Sequence, residues 1–140
     1  MLLISSSPLE NGPWAEGLTG PDSGALVTFH GCVRSQHQGH RVLRIEYEIY
    51  EELCQSEFKK IMSDARRQFA IHQLKCVHRS GPVAAGEVAV WIGVSSAHRR
   101  DAFRCCEFIL EQIKKQLPIW KKEIYEDGHA AWIDYGMPLI

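Results

Sequence analysis

The sequence predicts an α+β domain, a mostly antiparallel sheet packed against two long helices. Three observations point there. Apolar residues alternate with period two in several short runs, as half-buried strands require. They recur at three- and four-residue steps in two long runs, from Glu51 and from Ala97, as amphipathic helices require. Strand and helix runs do not alternate in the regular rhythm of a parallel βαβ sheet.

Leu2–Ser6 starts the chain as a short strand. Pro8–Gly24 carries Gly12, Pro13, Gly17, Gly20 and Pro21 and reads as loop, with at most a turn or two of helix around Trp14–Leu18. In Ala25–Arg34, Ala25, Val27, Phe29, Gly31 and Val33 share one face of a strand. Ser35–His40 is a polar loop. In Arg41–Ile49, Leu43, Ile45, Tyr47 and Ile49 alternate with Arg44, Glu46 and Glu48, so one face meets solvent. The first helix has Leu53, Cys54, Phe58, Ile61, Met62, Ala65 and Phe69 as its stripe.

Gln73–Ser80 is a third strand, broken by Gly81-Pro82. Glu87–Ser95 is the strongest strand, with Val88, Val90, Ile92 and Val94 on one face. The second helix, Ala97–Leu117, has Phe103, Cys106, Ile109/Leu110, Ile113 and Leu117 as its stripe, and Pro118 stops it. Two extended pieces follow near Trp120–Tyr125 and Ala131–Asp134, with Asp127-Gly128 as the turn between them.

The whole chain, residues 1–140, fits one domain. A formal net charge of −1 argues against a general nucleic-acid binder, so any anion site is local. No apolar run is long enough to span a bilayer, and the N-terminus lacks the basic leader of a signal peptide. The cytoplasm is therefore the expected compartment. The five cysteines, Cys32, Cys54, Cys76, Cys105 and Cys106, are odd in number and include no Cys-x-x-Cys pair. They read as buried free thiols.

Three places could carry chemistry. Ser95 or Ser96 can cap the second helix, and His98, Arg99 and Arg100 follow. Cations in the first turn oppose the helix dipole. The arginines either point into solvent, or they join the free amides in holding an anion. Lys114-Lys115 and Lys121-Lys122 form a second cluster around Pro118. The first two complement a helix C-terminus; the last two do not. Alternation sets Lys121 and Glu123 on one side of a strand, Trp120 and Lys122 on the other. That pair is either a surface ion pair or an acid–base pair tuned for proton transfer. Arg34 stands where a strand meets the polar loop. His37 and His40 have a loose metal-like spacing, but nothing nearby completes a site, and no metal is expected. The chain shows no nucleophile of its own, which suits an enzyme that positions two reactive ligands.

Three blocks, Gly24–Arg34, Gly93–Arg99 and Pro118–Glu123, resemble the large, catalytic subunit of molybdopterin synthase, the molybdenum cofactor biosynthesis protein E family. Within them, Ser-Ala-His-Arg at Ser96–Arg99 and Pro-Ile-Trp-Lys at Pro118–Lys121 are specific. Glu46-Tyr47-Glu48 and His78-Arg79-Ser80-Gly81 support them. The likeness covers about Gly24 to Trp132; residues 1–23 match poorly. It implies an α/β-hammerhead fold and a sulfurtransferase. Sulfur from the C-terminal thiocarboxylate of a small ubiquitin-like subunit would pass to cyclic pyranopterin monophosphate (precursor Z), building the molybdopterin dithiolene in two rounds. It also implies a homodimer within a heterotetramer and no resident cofactor.

By the same resemblance, Phe29, Arg34, His98 and Arg99 would line the substrate pocket, in part across the dimer. Lys114 and Lys121 would receive the thiocarboxylate, and Glu123 would move protons. The sulfur nucleophile is the partner's, so the cysteines should be dispensable. The chain departs from the family form after Glu123, where it is one residue longer before Trp132, and at Gly136, where some relatives carry a basic residue. Two other readings compete: a non-catalytic dimeric scaffold for a ubiquitin-like partner, and a general phosphate-ligand binder. Retention of His98, Arg99 and Lys121 favours the enzyme over the scaffold.

Overall fold

The computed structural model describes residues 1–133. It is α+β, as expected, and its strands form two sheets rather than one. The first sheet has the order β1-β5-β7-β2. Its strands are β1 (Leu2–Ser5), β2 (Ala25–Cys32), β5 (Leu74–Arg79) and β7 (Val88–Ser96). All pairings in it are antiparallel except β1 with β5. The second sheet has the order β3-β4-β8-β9, with β6 also paired to β4. It comprises β3 (Gln36–His37), β4 (His40–Ile49), β6 (Gly81–Ala84), β8 (Ile119–Tyr125) and β9 (Ala130–Ile133). The helices are α1 (Glu51–Gln68) and α2 (Arg99–Gln116). No helix among the described residues is long and apolar enough to cross a membrane.

β7 is buried along its whole length because both of its faces are covered. On one side, Val90, Ile92 and Val94 meet the α1 and α2 stripes, with Phe58, Ile61, Ile109 and Ile113 at the centre of the main core. On the other, Trp91 joins Val77 and Val88 under Leu9, Leu18 and Trp14 of the N-terminal loop. That loop is built of turns, and the Trp14 indole donates to the Leu9 carbonyl at 2.8 Å. At Gly24 a side chain is excluded outright: a Cβ there would collide with the Ala97 carbonyl, where the chain leaves β7 for α2.

Several expectations are corrected. Leu43 is exposed, and Val42 is buried in its place. A register shift between Val42 and Arg44 breaks the period there, while Ile45 and Tyr47 keep it. Leu53 and Phe103 drop out of their stripes and are exposed, as is Cys32; the other four cysteines are buried. The polar loop folds into a hairpin of β3 on β4, its turn made by Gln38 (φ 50) and Gly39 (φ 80). Gly81-Pro82 ends one strand and begins β6. Asp134 of the last extended piece, and Gly136, lie outside the described residues.

Candidate active site

The register of the second sheet assembles the site. β8 pairs with β4 on one edge and β9 on the other, with Tyr47 opposite Lys121 and Ile45 opposite Glu123. Alternation turns Lys121, Glu123 and Tyr125 inward, as the sequence reading has it. Trp120 faces out and is exposed. Lys122 and Trp132 face each other across β8 and β9, with the ammonium 5.7 Å from the ring centre.

Glu123 does not form an ordinary surface ion pair with Lys121. Its side chain is 0% exposed, and its Oε1 lies 2.6 Å from Nδ1 of His37, itself 12% exposed. Among the described residues the other oxygen, Oε2, has no hydrogen-bond partner, and neither has the buried Tyr47 Oη beside it. Burial, reinforced by the Glu123 carboxylate, pushes the Tyr47 phenol well above its ordinary range. His78 packs edge-on against the Tyr47 ring at 5.0 Å. Its Nδ1 lies 2.8 Å from the Arg79 carbonyl, an acceptor, so Nδ1 carries the hydrogen. Burial, with Lys121 adding to it, lowers His78 to about 4. A neutral imidazole therefore flanks the lysine.

Three cations converge on this face. Lys114 comes from the last turn of α2 and Arg34 from the end of the β2 segment. Burial lowers the Lys114 ammonium, and the nearby Arg34 guanidinium lowers it further. Burial brings Lys121 down to about 8, with Lys114 adding to the fall and Glu123 opposing it. Such a cluster, with its two lysines partly out of water and Arg34 exposed, attracts an anion. Beside Arg34 an open hollow of about 690 Å³ is bordered by Val33, Ser35, Gln36, Ala85 and Gly86.

The second cluster stands apart. Ser95 and Ser96 do not cap α2, because β7 runs on to pair Ser96 with Ala25. Ser95 Oγ accepts from the Gln73 amide at 3.0 Å, and Ser96 Oγ donates to the His98 carbonyl at 2.6 Å. His98 takes the cap position without a side-chain cap bond, and His98, Arg99 and Arg100 are all exposed. Asp101 is tied to the Ala70 amide at 3.3 Å. Fifteen helical steps of 1.5 Å set Arg99 about 22 Å from Lys114 along the axis. Within one chain the two clusters do not meet. Phe29 is half-buried against the main core.

The "MoaE protein" family model matches residues 4–116. The chain belongs to the MoaE family. The match stops just before the strand that bears Lys121 and Glu123. A protein from Thermoplasma volcanium named molybdopterin synthase catalytic subunit is 41% identical over 112 residues, 80% of this chain and 82% of that one. Rice relatives of the same name are longer, and the chain spans 56% of their length. The crystal structure of molybdopterin synthase from Staphylococcus aureus superposes with a TM-score of 0.88 at 35% identity, covering 94% of this chain and 96% of that one. A complex of subunits 1 and 2 of molybdopterin-converting factor from Helicobacter pylori shares the fold at a TM-score of 0.75 and 24% identity, covering 97% and 90%.

The sequence reading missed His37, Tyr47 and His78 as parts of this MoaE site. Tyr47 was already on the inward face by alternation. His37 carried no such signal, since its loop had no period to read.

Proposed function

We propose that this MoaE-family chain, acting as one domain over residues 1–140, is the catalytic subunit of a molybdopterin synthase. It would transfer sulfur from the C-terminal thiocarboxylate of a small ubiquitin-like subunit to cyclic pyranopterin monophosphate, in the cytoplasm. The observation that carries the proposal is the convergence of the exposed Arg34 with the partly buried Lys114 and Lys121. A thiocarboxylate tail and a phosphate ester are both anions, and a site for the two needs concentrated positive charge rather than a nucleophile.

In this reading Lys121 and Lys114 hold the tail and polarise its carbonyl as sulfur leaves. Arg34, His98 and Arg99 bind the pterin and its phosphate, with Phe29 lining the pocket. Glu123 moves protons. Because about 22 Å of helix separates Arg99 from Lys114, a pocket using both ends of α2 takes them from two copies. A homodimer with a small subunit at each end, a heterotetramer, satisfies that requirement.

One experiment separates the readings. The purified protein is mixed with thiocarboxylated small subunit and cyclic pyranopterin monophosphate, and the dithiolene product is sought. Product supports the synthase. Binding of the small subunit without product favours a scaffold. Tight binding of simple nucleotides with no dependence on a partner favours a general phosphate binder.

A further inference from the structure

We infer that His37 is a positioning residue for Lys121, acting through Glu123 from the β3–β4 hairpin. The inference deepens the sulfur-transfer reading and rests on it for the role given to Lys121. Its physical content is independent of the reaction.

The argument starts from Glu123. A carboxylate wholly removed from water is expensive unless hydrogen bonds hold it. Glu123 is in that position, and among the described residues its one hydrogen-bond partner is His37 at 2.6 Å, within the range of a charge-assisted bond. Around it stand His37 from β3, Tyr47 from β4, and Lys121 and Tyr125 from β8 itself. Around Lys121 stand Lys114 from α2, His78 from β5, Tyr47 from β4 and Glu123. Of these, Glu123 is the one that opposes the fall in the Lys121 proton affinity. Whatever holds the Glu123 side chain in place therefore also holds the proton on Lys121.

His37 is suited to that part. It is slightly exposed while Glu123 is not, so it links the buried carboxylate to solvent. Its place is fixed by a two-residue turn whose central residues, Gln38 and Gly39, both have positive φ. The hairpin is pinned by the Val42 amide donating to the Ser35 carbonyl at 2.8 Å. Arg34 lies three residues upstream on the same segment. Without the His37 hydrogen bond, no other among the described residues ties the Glu123 carboxyl in place beside Lys121, and the group that opposes the lysine's fall is lost from its position.

The test reads Lys121 directly. Lysine ¹³Cε resonances are titrated by NMR in the full chain, with the Lys121 signal assigned by its loss in K121R. Two truncations, H37L and H37A, remove the donor. H37N keeps an N–H near the Nδ1 position but cannot titrate. The expected result is a fall in the Lys121 midpoint of roughly half a pH unit or more in a folded truncation, with H37N close to the parent. An unchanged midpoint in a folded truncation overturns the inference. An equal fall in H37N overturns it too, since the donor would then not be the cause. The same variants are assayed for sulfur transfer against pH. The truncations should lose the alkaline side of the profile first, with H37N rescuing it. If the parent makes no dithiolene product while the midpoint shifts as expected, the synthase reading fails and this inference stands.

Discussion

Lys121 stands in the middle of a strand paired on both edges, whereas His98 stands at the first exposed step of α2. The two cation clusters of the chain are thus supported differently. Around Lys121 the strands fix Tyr47 opposite, Glu123 two residues on and His78 against the Tyr47 ring, and α2 brings Lys114. His98 and Arg99, by contrast, are exposed at the start of α2, and His98 makes no side-chain cap bond. Burial perturbs the proton affinities of Lys114, Lys121 and His78. The teaching of the comparison is that the Lys121 half of the proposed site draws its charged groups from one protomer. The other, if it acts on the same ligand, needs a second copy.

The largest expected effect falls on the Lys121 half. Lys121→Ala should lower sulfur transfer by about a hundredfold or more, the scale on which a group stabilising developing charge acts. Circular dichroism should show the fold retained. Full activity in K121A would remove Lys121 from the mechanism.

A mixing experiment addresses the His98 half. If the protein forms the proposed homodimer, K121A and H98A variants, each inactive alone, are mixed and allowed to exchange subunits. If one pocket takes Lys121 from one protomer and His98 from the other, each mixed dimer keeps one intact site. Half the dimers are mixed after random exchange, so activity should return to about a quarter of the parent's. No recovery, with exchange verified by mass spectrometry, would place both residues in one protomer's site or in separate functions.

A smaller effect concerns stability. The Lys121 ammonium titrates at about 8 in the folded chain against 10.5 ordinarily. Between those values the unfolded chain binds more protons, so this group makes stability rise as pH climbs from 8 towards 10.5. Below 8 the cost of its burial is fully present, reduced by the solvent that still reaches it. Lys121→Met should therefore raise the melting temperature at pH 7 by a few degrees, and the gain should shrink towards pH 10.5. His78 gives the opposite end of the curve. Its folded value of about 4 lies below the ordinary 6.5, so its contribution is present above 6.5 and is lost as pH falls towards 4. A K121M protein no more stable than the parent at pH 7 would mean that Lys121 is better solvated than its neighbours imply.

What the sequence disclosed follows the same division. Period-two alternation in Ile119–Tyr125 placed Lys121 and Glu123 on one face, because side-chain direction in a strand is a local property. Both helices were visible for a like reason. Leu43 was misplaced because a bulge is set by the pairing partner, not by the strand's own residues. Ser95 and Ser96 had the chemistry of helix caps, yet pairing with β2 extended the strand through them. The His37–Glu123 contact joins residues 86 apart, and no local pattern could show it. The family resemblance paired Lys114 with Lys121, which periodicity could not, but set Arg34 with His98 and Arg99; in the fold Arg34 stands beside Lys114.

The smallest effect is expected at the one exposed thiol. Burial pushes Cys54 and Cys106 up to about 11 and Cys105 up to about 12, and raises Cys76 as well, so none of these four supplies thiolate near neutral pH. Cys32 alone is exposed, at the end of β2, two residues before Arg34. If the travelling sulfur came from a cysteine of this chain, Cys32 would be the candidate. In the proposed reaction it comes from the partner's tail, and Cys32→Ser should leave sulfur transfer within about twofold of the parent, since a surface substitution away from the reacting atoms perturbs little. A C32S protein that binds the small subunit normally but makes no product would move the sulfur onto this chain, and Lys121 would then serve a thiolate rather than a thiocarboxylate.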